Sequence, residues 1–205
     1  MLNVLALDVS IRATGYATIV DLHDGATETV AGLITPTVRR NGRPHKLTGI
    51  ARLPAIAGQI VTRARRHDAR LVAIEGYAYG AQSQAVTKLA ELGGVIRTAL
   101  WGAGIPYIEV ASNTIKAYAC GNGRADKDAM VAAAQDLYGY RGRDHNIADA
   151  MHLHALVADA LGQGYAPDLA SPAQRTKRRD AIATVVPLLP PQGVLTAPPT
   201  EAPHA

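Results

Sequence analysis

Hydrophobic positions in this chain form short unbroken runs near its start and helically spaced sets further on. Residues 3–9, NVLALDV, are apolar until an acid near the end, the pattern of a strand buried on both faces. After SIRATG, with Gly15 marking the turn, YATIV predicts a second strand and residues 28–35 a third, together an antiparallel meander. RLVAIEGYAYG predicts a further buried strand carrying Glu75 at its end, and IPYIEV a fifth. A basic, polar loop is expected over TVRRNGRPHK. The following LTGIARLPAIAGQIVTRARRH is helical, with Leu53, Ile56 and Ile60 near one face and Pro54 marking the first turn or a kink. Residues 82–102 predict a long helix with Leu89, Leu92, Val95, Ile96 and Leu100 at helical spacing. Gly93–Gly94 inside it points to close packing or a kink. SNTIKAYACG opens with cap-type residues and predicts a short helix, RADKDAMVAAAQDLY another, and NIADAMHLHALVADALG the last. The order βββαβαβα is that of an α/β domain with a mixed five-stranded sheet.

Past Gly162 the pattern changes. Residues 163–205 hold eight of the chain's twelve prolines and the basic cluster QRTKRRD, without sustained periodicity. They are expected to form a mostly disordered basic tail, with DAIATVVPLL able to dock locally. The 205 residues thus divide into one domain over 1–162 and a tail over 163–205.

Composition adds direction. Hydrophobic residues make up 48% of the chain, Phe is absent, and the core is left to Leu, Ile, Val and Ala. A net charge of +4 favours an anionic partner such as nucleic acid without requiring one. The single cysteine, Cys120, excludes an intramolecular disulfide framework and a Cys-based zinc site. The start of the chain has no secretory-signal pattern and no apolar run is long enough for a membrane span, so a cytoplasmic location is expected.

The acids carry the candidate chemistry. Asp8 and Glu75 each end a predicted central strand, on the same side of the sheet if those strands run parallel. Asp149 follows Asn146 by three residues, so both project from one helix face. A lone aspartate at a strand end is commonly a cap or turn residue, but two acids on buried strands are expensive without a charged partner. Hard divalent cations such as Mg²⁺ take oxygen ligands and relieve the repulsion between such carboxylates. Two such ions can activate a water and stabilise the leaving oxygen in phosphodiester cleavage.

Four segments resemble one family in order. LALDVSIRATGYA is similar to the first strand of RuvC-type Holliday junction resolvases, and VAIEGYAYG to their second acid-bearing strand. IKAYACGNGRADKDAMV resembles the family's lysine-bearing segment, and NIADAMHL its closing helix. Each is weak alone; the ordered set is specific and covers nearly all of residues 1–160, with the look nearest to bacteriophage members. The resemblance implies a ribonuclease-H-like fold, a homodimer, no organic cofactor, and metal-dependent paired nicking of four-way DNA junctions with Mg²⁺ or Mn²⁺, two ions per site. It places Asp8, Glu75 and Asp149 at the family's metal-binding acids, and Asn146 where a fourth ligand, usually Asp, stands. An Asn carbonyl can coordinate Mg²⁺ but adds no charge. Asn146 is favoured here as a weak ligand with Asp144 assisting; Asp144 can also cap the helix, and His145 can serve as a base.

Lys116 and Lys127 match two family lysines implied to contact phosphate near the scissile bond. Arg12 in the first loop and Arg124 in the GNGR turn are further candidate DNA contacts. The family's base-stacking aromatic is offset here: Ala78 holds its place, flanked by Tyr77 and Tyr79, either of which can stack on a base or pack in the core or an interface. Val9 and Ser10 replace the usual Pro-Gly of the first loop. The basic set Arg39, Arg40, Arg43, His45 and Lys46, or Arg63, Arg65, Arg66 and Arg70, can track a DNA arm or simply form a solvated face. Rival readings are a looser nuclease acting on forks, flaps or hybrids, and a DNA-binding module that has lost catalysis. An ATP-binding protein of the actin type is disfavoured, because DVSIRATG lacks a Gly-rich phosphate loop and 205 residues cannot hold paired lobes.

Overall fold

A computed structural model describes residues 2–21, 27–76, 84–164 and 171–196. Five strands form the main sheet: β1 (Val4–Asp8), β2 (Thr14–Asp21), β3 (Thr27–Ile34), β6 (Leu71–Gly76) and β7 (Tyr107–Ala111), in the order β3-β2-β1-β6-β7. The first three pair antiparallel as the meander predicts; β1–β6 and β6–β7 are parallel. The expected mixed five-stranded sheet flanked by helices is therefore present.

Alternation along β1 builds the two layers. Val4 and Ala6 face one side with Leu71, Ala73, Ile108 and Val110, while Leu5 and Leu7 face the other with Val72 and Ile74. The second side is covered by α1 (Arg52–Arg66) and α2 (Gln84–Gly102), through Leu53, Ile56, Ile60, Leu92, Ile96 and Leu100. Pro54 is the third residue of α1, where the backbone needs no N–H for an intrahelical bond, so it produces no break. A β-carbon on Gly94 would meet nothing within 4 Å, so close packing is not what places a glycine there in α2.

The first side holds α3 (Ser112–Cys120), α4 (Lys127–Tyr138) and α5 (His145–Ala160). Every residue of α5 from Ala150 to Ala158 is apolar or histidine, and all nine are buried, as a helix enclosed on every side requires. His152 keeps its ring satisfied between the Met130 carbonyl and the Tyr138 hydroxyl, at 2.9 and 3.2 Å. Burial pushes both His152 and His154 down to about 4, so they stay neutral at physiological pH.

Two expectations change. The basic loop at 37–46 is a two-stranded antiparallel ribbon, β4 (Thr37–Arg40) and β5 (Arg43–Lys46). Asn41 and Gly42 turn it with φ of 50° and 77°, the Asn-Gly signature of a tight hairpin, here without the apolar alternation that normally betrays a strand. The tail is not disordered over its central part: α6 (Pro172–Val185) and α7 (Gln192–Thr196) are formed. Ser171 and Gln174 close a capping box and Pro172 stands at the helix start, where it is tolerated. Ala181, Val185 and Leu195 are buried against the α3–α5 layer. The buried Arg178 lies 5.2 Å from the Tyr118 ring centroid, and its Nε donates to the Tyr118 carbonyl at 3.2 Å. Few apolar positions suffice to dock a helix, which is why periodicity did not reveal it.

Candidate active site

Register brings the first two acids together. Leu7 of β1 pairs with Ile74 of the parallel β6, so Asp8 and Glu75, one residue on in each strand, end side by side. Asp149 enters from the second turn of α5, which packs across β1 and β2. One carboxylate oxygen from each of Asp8, Glu75 and Asp149 lies within 4.8 Å of the other two.

Their electrostatics are those of a site short of positive charge. Burial pushes Asp8 up to about 8, the charges of Glu75 and Asp149 add to it, and Lys127 opposes. Asp149 is pushed up to about 7 by burial and then Glu75, against Lys116 and Lys127. Glu75 is raised by burial as well, offset by a hydrogen bond from Ser112 and by Lys116. The Oδ1 atom of Asp149 is buried with no hydrogen-bond partner, alone in this among the described side chains. An all-oxygen, carboxylate-rich donor set with an orphaned oxygen fits a hard divalent cation.

Surrounding residues hold this set in place. Lys127 opens α4, behind the Asp126 cap, and its Nζ is 2.9 Å from His145 Nε2. Lys116, on α3, acts on Glu75 and Asp149. Asn146 Nδ2 donates to the Ala13 carbonyl at 2.8 Å, tying the start of α5 to the loop after Asp8. Gly15 lies in β2 rather than in the turn, and a β-carbon there would collide with the Asn146 backbone carbonyl. Of the two roles expected for Asp144, the structure shows the cap: its Oδ1 accepts from the N–H groups of Asn146 and Ile147, at 2.9 and 3.3 Å. Tyr140 grips the Asp144 backbone from both sides, donating to its carbonyl and accepting from its N–H.

Other expected residues are less central. Arg12 is exposed on the loop between β1 and β2, and Arg124 on the turn between α3 and α4. Tyr77 and Tyr79 lie outside the described residues. Sequence reading missed Ser112, Tyr140 and the Ala13 carbonyl. Only Ser112 left a trace, as the first of the cap-type residues after a strand.

A carboxylate cluster at the shared end of two central parallel strands, beside an antiparallel meander, defines a ribonuclease-H-like protein with a candidate metal centre. Residues 4–156 match the family model of the crossover junction endodeoxyribonuclease RuvC, and the chain belongs to that family. Similar curated relatives include the RuvC of Cupriavidus metallidurans, 29% identical over 183 residues, covering 86% of this chain and 97% of the relative. The RuvC of Anaeromyxobacter sp. is 30% identical over 172 residues, 80% of this chain and 88% of its own. Among solved structures, Thermus thermophilus RuvC superposes with a TM-score of 0.58 at 21% identity, covering 80% of this chain and 98% of that one. The T. thermophilus protein in complex with a Holliday junction substrate gives 0.60 at 16% identity, with 81% and 98% covered. These structural likenesses bear on the fold. No helix among the described residues is long and apolar enough to cross a membrane.

Proposed function

We propose that this protein is a metal-dependent endonuclease that resolves four-way DNA junctions by paired, symmetric nicking. The observation that carries the reading is the convergence of Asp8, Glu75 and Asp149 within 4.8 Å, in a member of the RuvC family. These three residues would hold Mg²⁺ or Mn²⁺, two ions per site, with Asn146 contributing a neutral oxygen in place of a fourth charge. Divalent cations bound there supply a water of lowered pKa and Lewis-acid stabilisation of the departing oxygen.

The remaining roles belong to the chain itself. Lys116 and Lys127 place positive charge beside the carboxylates, where a scissile phosphate needs its negative charge balanced. His145 accepts a hydrogen bond from the Lys127 ammonium, which supports a role in orienting that lysine. Asp144 caps α5 and acts on Asp8 only through its charge. Arg12 and Arg124, exposed at the loop after β1 and at the α3–α4 turn, contact phosphate; Tyr77 and Tyr79 follow the second acid and offer a base-stacking face. Paired nicks require two sites, hence a homodimer, with α2 as the interface helix; its Trp101 is 72% exposed in the single chain.

The test is a panel of labelled four-way, fork, flap and RNA–DNA hybrid substrates, with Mg²⁺, with Mn²⁺ and with chelator. Symmetric metal-dependent nicks on the four-way junction are expected, lost in Asp8→Asn while junction binding persists. Equal cutting of all branched substrates would identify a looser nuclease. Binding without cutting would identify a module that has lost catalysis, the outcome that the neutral Asn146 keeps in play.

A further inference from the structure

The β4–β5 ribbon has no part in the carboxylate site, yet four of its eight strand residues are Lys or Arg. Between Glu28 and Asp68 the chain contains no acid and eight Lys or Arg residues. That is twice the net charge of +4, so the rest of the protein is net acidic; four of the eight, Arg39, Arg40, Arg43 and Lys46, are on the ribbon and the other four on α1. Arg39, Arg40, Arg43 and Lys46 are all exposed, and the Arg70–Asp68 and Arg97–Glu109 ion pairs leave them unused. Arg40 stands directly opposite Arg43 in the ladder, a like-charge pair that destabilises a hairpin unless an anion sits over it.

The ribbon is nonetheless held in a defined shape. Asn41 and Gly42 close it with a tight left-handed turn. Its neck is fastened by Leu47 N–H to the Pro36 carbonyl and by Gln59 Nε2 to the Thr35 carbonyl, both 2.8 Å. Location follows from register. Asp8 pairs with Gly15, Gly15 with Leu33, and the neighbouring Thr14 with Ile34, the last residue of β3. The ribbon therefore leaves the sheet at the end where Asp8 lies, two strand spacings or about 10 Å to the side. Its four-residue strands extend it by about 13 Å.

We propose that this ribbon binds the backbone of a duplex DNA arm beside the cleavage site, lying in its groove; the proposal rests on the DNA-nuclease reading above. The pairing places Arg40 and Arg43 on one face and Arg39 and Lys46 on the other. Cations on both faces suit a slot between two phosphate walls, which the major groove offers a two-stranded ribbon, better than a single flat anionic surface. The ribbon thereby adds affinity for an arm without touching the reacting phosphate.

The test compares the full-length protein with the quadruple variant Arg39→Ser, Arg40→Ser, Arg43→Ser, Lys46→Ser, and with an Arg39→Lys, Arg40→Lys, Arg43→Lys variant. Binding to a plain duplex and to a four-way junction is measured by fluorescence anisotropy across a salt series in chelator. The serine variant is expected to bind both about 10- to 100-fold more weakly at 150 mM salt, with the salt slope reduced by roughly 2–4, close to one per lost phosphate contact. The lysine variant should retain the slope, and thermal melts should show both variants folded. Single-turnover cleavage at saturating enzyme should change less than about threefold in the serine variant. An unchanged slope, or a wild type that binds no duplex, overturns the ribbon's role. Because the readout is binding, absence of cleavage would count against the nuclease reading alone.

Discussion

Asn146 Nδ2 donates to the Ala13 carbonyl at 2.8 Å, so the residue that stands where a fourth acid is usual is held by a bond that a carboxylate cannot make. An aspartate there would set a carboxylate oxygen against a carbonyl oxygen and add a fourth negative charge to a site already short of positive charge. Asn146→Asp is expected to lower metal-free stability by about 1–2 kcal/mol. Urea denaturation in chelator, with and without added Mg²⁺, measures this; the deficit should narrow when the metal is present.

Gly15 gives the same junction of β2 and α5 its second constraint. The atom that a β-carbon would meet is the backbone carbonyl of Asn146, which cannot swing aside. Gly15→Ala should cost about 1–3 kcal/mol and should displace the start of α5, and with it Asp149. Cleavage is expected to fall far more than junction binding, measured on the same preparation.

The carboxylates make stability depend on pH with a definite sign. Folded Asp8 and Asp149 sit at about 8 and 7, against 3.8 for an ordinary aspartate. The folded state therefore holds protons that the unfolded chain has released, and stability falls as pH rises through 7 and 8. His152 and His154, pushed down to about 4, are neutral in the folded state and, with an ordinary value of 6.5, largely neutral in the unfolded chain above pH 7, so they offset the effect only slightly. Metal-free protein should lose about 1–2 kcal/mol between pH 7 and 8.5. Saturating Mg²⁺ or the substitution Asp8→Asn should flatten that slope in denaturation curves.

Docking of α6 depends on Arg178, which reaches the Tyr118 carbonyl and ring, while the Tyr118 hydroxyl donates to Asp159 at 2.7 Å. Arg178→Ala should cost about 2 kcal/mol. Hydrogen exchange over 172–185 is expected to quicken while protection in the five-stranded sheet is kept.

Much of the fold was legible because its signals are local. A buried strand needs an apolar run, and NVLALDV, RLVAIEG and IPYIEV supply one each. Glu75 and Asp8 stood out because acids at the ends of such runs are costly without a purpose. The ribbon and α6 were hidden for the opposite reason. One is polar on both faces and the other docks through a handful of side chains, so neither writes a period into the chain.

By itself, then, the sequence determined the five strands of the main sheet and the helices α1 to α5, which acids stand at strand ends, and that an amide occupies position 146. Tertiary structure alone decided that Asp8 and Glu75 are neighbours, that Asp149 joins them, and that Asp144 caps α5. It also decided that the basic loop is a ribbon rooted at the same end of the sheet. Those outcomes depend on pairing register and on the close approach of α5 to Gly15, which are contacts between residues more than a hundred positions apart in the α5 case. No local pattern encodes a contact of that range, because its free energy exists only once the intervening chain has folded.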